Sequence, residues 1–388
     1  MTSNKKSSSV LAVIAVFFGF FIMGFVDVVG IASNYIKNDF ALTATTANFI
    51  PMMVFIWFFI ISIPSSILMG KIGRKNTVLL ALVLTAISMI VPYFSYSYGI
   101  LLVAFALLGI SNTILQVALN PLVASMFNKE KTASLLTMGQ FIKAIASFLG
   151  PIIAGVAVSR FGDWRLIFVA FSITSWLSVL FLLPSKVEEL GFGNTQATFS
   201  GALSNLKNQT VLICFLCIFL IVGFDVGMNV SIPQILMKNV GLPLEQAGYG
   251  TSVYFAAKTA GAFVGTFLLL KIKPGRYLIF SLLVGLLACL LLINIKNEWP
   301  AYILIFIASF ACANVFSIIF SLALQAVPSR ANEVSALMIM AVAGGAVIPF
   351  LQGIISDTFG FYASSVLILL TLVIILALSI KLRSHVQQ

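Results

Sequence analysis

The sequence predicts an all-α membrane protein with twelve transmembrane helices arranged as two six-helix bundles. Three observations lead there: a composition 61% apolar and only 9% charged, long apolar runs recurring along all 388 residues, and a lopsided placement of Lys and Arg between those runs. A chain so poor in charge lacks the polar surface of a soluble globule, so lipid is the expected solvent.

A helix crossing a bilayer needs roughly 20 mostly apolar residues. Runs of that kind fall near 9–33, 46–69, 77–94, 99–126, 134–158, 165–184, 210–236, 246–270, 277–295, 300–326, 334–356 and 360–381. A closed β-barrel also satisfies its backbone in lipid, but it reads as short alternating segments, whereas these runs are continuously apolar. The first run is long enough to span and has no small-residue cleavage site before the next polar stretch, so helix 1 is expected to stay as an anchor.

Basic residues in short loops are retained on the cytoplasmic side. Of the 22 Lys and Arg, only Lys37, Arg160, Arg165, Lys238 and Lys296 fall on one side, and two lie inside spans; the remaining fifteen share the side of both termini. Both termini are therefore expected to be cytoplasmic, in a bacterial inner membrane. The formal charge of +11 follows from this topology and from anionic headgroups, and calls for no nucleic acid.

The longest polar interruption runs from Pro184 to Thr210 and divides the chain into an expected N-terminal bundle (1–184), a cytoplasmic linker (185–209) and a C-terminal bundle (210–388). Gly24-Phe25-Val26-Asp27 resembles Gly223-Phe224-Asp225, and Lys71-Ile72 resembles Lys271-Ile272, at a common offset near 200. Equivalent points of two halves are the expected mark of an internal duplication.

Four ionisable residues lie at membrane depth: Asp27, Lys143, Asp225 and Lys258. An unpaired charge at a helix centre costs roughly 2.5–3.5 kcal/mol on insertion scales, so each should face a cavity or a partner. Asp27 and Asp225 are the candidate proton carriers, because burial raises a carboxylate's pKa and a nearby Lys lowers it. The alternative is that both carboxylates pair with Lys143 and Lys258 and merely lock helices together.

A polar solute must exchange water for protein hydrogen bonds on binding, and Asn112, Gln116, Asn120, Gln140, Asn229, Asn314 and Gln352 in the spans are the candidate side chains to supply them. Gln116 and Asn120 are four apart, and Gln140 and Lys143 three apart, so each pair shares a helix face. Each amide could instead bond between helices, typically contributing about 0.6 kcal/mol. Among aromatics, Trp57 and Tyr254 are placed mid-span to stack on a solute, whereas Trp164 and Trp299 read as interfacial anchors. Glycines dense in helices 5, 8 and 11, with Pro151 and Pro349, suit close approach of helices that move or of helices packed tightly in place.

The sole histidine, His385, lies in the tail, which leaves an intramembrane hydrolase without its commonest base, and an enzyme is not expected. Cys214, Cys217, Cys289 and Cys312 lie within apolar spans and read as buried thiols; no metal and no cofactor are expected.

Gly73-Arg74-Lys75 partly matches the loop motif between helices 2 and 3 of the major facilitator superfamily, with Gly70 where an acidic residue is usual. Asn120-Pro121, Gln140, the stretch Asn314 to Leu324, and Gly344-Gly345-Ala346-Val347-Ile348-Pro349 followed by Gly353 and Asp357 resemble the fucose, galactose and glucose proton symporter family over most of the chain. The resemblance implies the major facilitator fold, a gating role for Gly73, Arg74 and Lys75, and monosaccharide import by proton symport. The expected partners are a sugar, a proton and membrane lipid, and the expected state is a monomer.

The chain departs from that group at Gln116, where an acidic residue precedes the helix 4 Asn-Pro, and at Lys143, where helix 5 carries an amide. Three readings stay open: coupling moved to Asp27 or Asp225, uniport, or contact of Lys143 with an anionic sugar. An exporter of drugs or metabolites of the same superfamily is the alternative function. A sensor would need a soluble domain for which residues 185–209 are too short.

Overall fold

The computed structural model describes residues 10–126, 129–185, 199–327 and 330–386. Most of the expected linker, and the side chains of Asn120, Pro121 and His385, lie outside what it describes. Among the described residues eleven helices are long and apolar enough to cross a membrane, and the shorter apolar helix Leu166–Leu182 makes twelve, as the sequence predicts.

Several of the twelve are composite. α1 runs Val10–Met23, tightens to a 3-10 turn over Gly24–Val28 and resumes over Val29–Asp39. Then follow α2 (Ala44–Ile72), α3 (Arg74–Phe94), α4 (Tyr98–Met126), α5 (Lys129–Phe161) and α6 (Leu166–Leu182). After a short lead-in helix, Phe199–Ser204, come α7 (Gln209–Ile235, ending in a π turn Leu236–Val240), α8 (Tyr249–Lys271) and α9 (Pro274–Leu292). α10 is split into Glu298–Cys312 and Val315–Ala326; α11 comprises Ala331–Met340, a 3-10 turn Ala341–Ala343 and Gly344–Phe359; α12 is Phe361–Val386.

Local chemistry sets the boundaries. The side chain of Thr43 caps α2 by accepting from the Thr46 amide at 3.2 Å, and Asn208 caps α7 by accepting from Thr210 and Val211. Gly73 and Gly360 adopt φ of +86° and +88°, which lets the chain reverse between α2 and α3 and between α11 and α12.

Buried apolar side chains form two cores. One draws on residues from Ala15 to Leu182, joined by Val226 and Ala346; the other runs from Val211 to Leu382, joined by Ile63. Large apolar side chains such as Leu180, Phe263 and Phe280 remain exposed around them, a surface suited to hydrocarbon. Among the described residues, side-chain hydrogen bonds between the halves lie at mid-depth or toward the end opposite the linker. Asp357 of α11 accepts from the Ala44 and Thr45 amides of α2, each at 2.7 Å, Asn34 donates to the Val230 carbonyl at 3.0 Å, and Ser252 to the Phe148 carbonyl at 2.9 Å.

Glycine makes the closest crossing: a Cβ at Gly344 would fall on the Phe219 carbonyl, whereas one at Gly99 would meet nothing. Gly344→Ala is expected to push α7 and α11 apart and destabilise by about 1–3 kcal/mol. Gly99→Ala should leave the melting temperature of detergent-purified protein within a degree or two or raise it.

Candidate functional site

Asp27 sits where α1 changes pitch. The 3-10 turn Gly24–Val28 skews carbonyls out of the α-helical ladder, and in lipid such groups need other donors. Asn112 of α4 donates to the Met23 carbonyl at 2.9 Å and Asn229 of α7 to the Asp27 carbonyl at 2.7 Å. Gly30 admits the Asn229 amide, since a Cβ there would overlap it. The turn thus anchors α1 to both halves and holds the Asp27 side chain at their junction.

The Asp27 carboxylate accepts a 2.5 Å hydrogen bond from Ser147 of α5 and has no ion-pair partner among the described residues. Lys143 lies one turn before Ser147, with its carbonyl against Gly24. Side chains on a helix lean toward its N-terminus, which for Lys143 is the direction of Gln140, and Lys143 makes no ion pair with Asp27. In the other half the charges meet: Lys258 of α8 binds Asp225 at 2.5 Å, and the Tyr254 hydroxyl donates to the same carboxylate at 2.6 Å. Of the two pairings the sequence allowed, one forms.

Helical phase shows which way these groups face. Nine residues make two and a half turns, so positions nine apart lie on opposite faces. Ser147 lies nine from exposed Met138, Asp225 nine from exposed Leu216, Lys258 nine from exposed Phe267, and Asn112 nine from exposed Val103. Polar groups on four helices are therefore turned away from lipid and toward the interior. They are not sealed there: the Asp225 and Lys258 side chains keep 20% and 30% exposure, Asp27, Gln116 and Lys143 are half-buried, and Gln140 is exposed.

The amides divide into two groups. Asn112 is committed to the Met23 carbonyl and itself accepts from Gln116 at 2.8 Å. Asn314 donates to the Gly261 carbonyl at 2.8 Å and to the Tyr277 hydroxyl at 3.1 Å, bonding α10 to α8 and α9 at the break in α10. Both serve the interhelical role that the sequence left open. By contrast the Asn229 and Gln352 carbonyl oxygens and the Trp57 indole N–H are buried and lack a hydrogen-bond partner among the described residues.

Three readings of aromatic and gating residues change. Tyr254 is 1% exposed, its ring enclosed and its hydroxyl on Asp225, so it positions a carboxylate and presents no face to a solute. Trp164 is not an interfacial anchor: it is 6% exposed, stacked on Tyr35 and donating to Asp39, whereas Trp299 is 76% exposed as an anchor would be. Gly73 makes the α2–α3 turn and places Arg74 at the start of α3; Lys75 donates to the Leu183 and Ser185 carbonyls at 2.9 and 2.7 Å, bracing α3 against the end of α6 within one half.

Ser147 and Asn34 carried no signal in the sequence, being small polar residues in long apolar runs. Asp357 stood out only within the motif that ends α11. Among the described residues no group of three His, Cys, Asp or Glu converges.

Comparison with known proteins agrees with this architecture. The family model described as Major Facilitator Superfamily matches residues 11–224 and 214–387. A glucose/galactose transporter of Brucella abortus biovar 1 (strain 9-941) is 26% identical over 93% of this chain and 91% of its own. An L-fucose-proton symporter of Haemophilus influenzae is 23% identical over 76% of this chain and 77% of its own. The crystal structure of the E. coli fucose:proton symporter superposes with a TM-score of 0.69 at 18% identity, covering 96% of this chain and 98% of the other.

The ion pair predicts a rescue. Lys258→Met strands the Asp225 carboxylate and is expected to destabilise by on the order of 2 kcal/mol, below the ~3–5 kcal/mol of a fully buried pair because both side chains keep some exposure. Adding Asp225→Asn should recover most of the lost thermal stability in detergent.

Proposed function

The chain belongs to the Major Facilitator Superfamily, a multi-pass membrane transporter and not an enzyme, and from that membership we propose that it imports a monosaccharide with a proton by alternating access. The observation that carries the proposal is the set of charged and amide side chains on interior faces of α1, α4, α5, α7 and α8 that keep access to solvent. The names of its Brucella and Haemophilus relatives, a glucose/galactose transporter and an L-fucose-proton symporter, support a sugar as the solute and a proton as the driving ion.

Asp27 is the proton carrier in this proposal. Its partner, the Ser147 hydroxyl, donates to a carboxylate and can accept from a carboxylic acid, so the contact persists in either form by a hydroxyl rotation. Asp225 is held by a cation and a phenol; protonating it would leave Lys258 charged and unmatched in a low dielectric. It serves instead as a fixed counter-charge. Gln116, Gln140, Asn229, Gln352 and Trp57 supply donors and acceptors for sugar hydroxyls, which must exchange water for protein partners on binding.

With both termini and the linker in the cytoplasm of a bacterium, as the placement of basic residues supports, the bonds made by Asp357, Asn34 and Ser252 close the outer face. The alternate state opens that face by breaking them, one half rocking on the other as a monomer. Arg74 and Lys75 brace the inner end during that motion.

Uptake of labelled neutral and acidic monosaccharides into proteoliposomes tests the proposal. An inward proton gradient is expected to drive accumulation of at least one of them. Asp27→Asn should abolish accumulation, at least about tenfold, while sparing exchange of solute across the membrane at zero gradient. Accumulation indifferent to the gradient would reject coupling.

A further inference from the structure

Lys143 poses a question that sugar import leaves unanswered. The other intramembrane cation, Lys258, is matched by Asp225 at 2.5 Å. Lys143 has neither an acidic partner nor a hydrogen-bond acceptor for its ammonium among the described residues, although it lies on the interior-facing stripe of α5 with Gln140 and Ser147 and is half-buried. A lone cation at this depth costs roughly 2.5–3.5 kcal/mol, a cost with no structural return.

The charged groups around Asp27 give Lys143 a purpose. From α5 comes Lys143, and from α7 comes Asp225, neutralised by Lys258 of α8; α4 and α6 bring no charged side chain to this depth. With Asp27 ionised the four charges cancel. When Asp27 takes up a proton, Lys143 is left as a net positive charge beside exposed Gln140, and one anionic group restores neutrality. We propose that the solute carries a carboxylate, as a hexuronate does, with Lys143 as its counter-ion, and that it travels with one proton so that transport moves no net charge.

This deepens the sugar-import reading and rests on it. Protonation of Asp27 creates the site for the anion, and the bound anion in turn favours the protonated acid, because each removes a charge the other would leave unbalanced. Neither binds well without the other, which is what tight coupling requires. The empty carrier, with Asp27 ionised and Lys143 charged, is neutral and returns without moving charge.

Reconstituted vesicles distinguish the possibilities. Galacturonate and glucuronate uptake by the unmodified protein should follow an inward proton gradient and stay unchanged when valinomycin sets a potassium diffusion potential of either sign. Lys143→Gln should lower hexuronate uptake by at least about tenfold, with Lys143→Arg retaining most of it. Galactose uptake by the unmodified protein without hexuronate uptake overturns the inference and leaves sugar import standing, whatever Lys143→Gln then does to its pH profile. Hexuronate uptake that responds to the diffusion potential overturns the electroneutral cycle. Uptake of neither sugar class, with folded protein verified by its melting transition, overturns the inference and the import reading together.

Discussion

Every polar group at membrane depth must find its partner inside the protein, because hydrocarbon offers none. That constraint organises the molecule. Where α1 tightens around Asp27, Asn112 and Asn229 reach in from two other helices to take the Met23 and Asp27 carbonyls. At the break in α10, Asn314 serves the Gly261 carbonyl. The places where α1 and α10 depart from regular helix are thus also where they are joined to their neighbours.

The two halves answer the constraint differently for charge. In the C-terminal half an aspartate, a lysine and a tyrosine close on one another. In the N-terminal half Asp27 and Lys143 form no ion pair, and the aspartate is held by the neutral hydroxyl of Ser147, one helical turn beyond Lys143. Related sequences at Gly24–Asp27 and Gly223–Asp225 thus yield one carboxylate held by a cation and a phenol and one held by a neutral hydroxyl. The proposed proton route uses that inequality, since a carboxylate clamped by a cation gives up its charge only at the expense of the cation's partner.

Much of this was legible in the sequence, and what was not has physical reasons. Twelve apolar runs announce twelve helices because length and hydropathy alone decide insertion. Asp27, Asp225 and Lys258 stand out because charge is rare and costly in such runs. Which charges pair is set by helix phase and by the direction side chains lean, and these depend on a 3-10 turn at Gly24–Val28 that no run of apolar residues reveals. Trp164 read as an interfacial anchor by its place at a span end; its burial depends on Tyr35 and Asp39, more than a hundred residues away in the chain.

In the proposed cycle the contact at Asp357 is a weak latch on a large motion. Its carboxylate accepts from two backbone amides at the start of α2, where an unsatisfied helix N-terminus carries partial positive charge. Among the described residues no cation lies within ion-pair distance of the Asp357 carboxylate, although Lys37 is near enough to feel its charge; in that cycle the amides and the exposed carboxylate turn to water at the mouth they open. A salt bridge in its place would hold the face more firmly and resist the opposite state. With interhelical bonds in membranes contributing about 0.6 kcal/mol each, a handful of them biases two arrangements of the halves by only a few kcal/mol. In the proposed cycle, binding of a solute and one proton reverses a bias of that size.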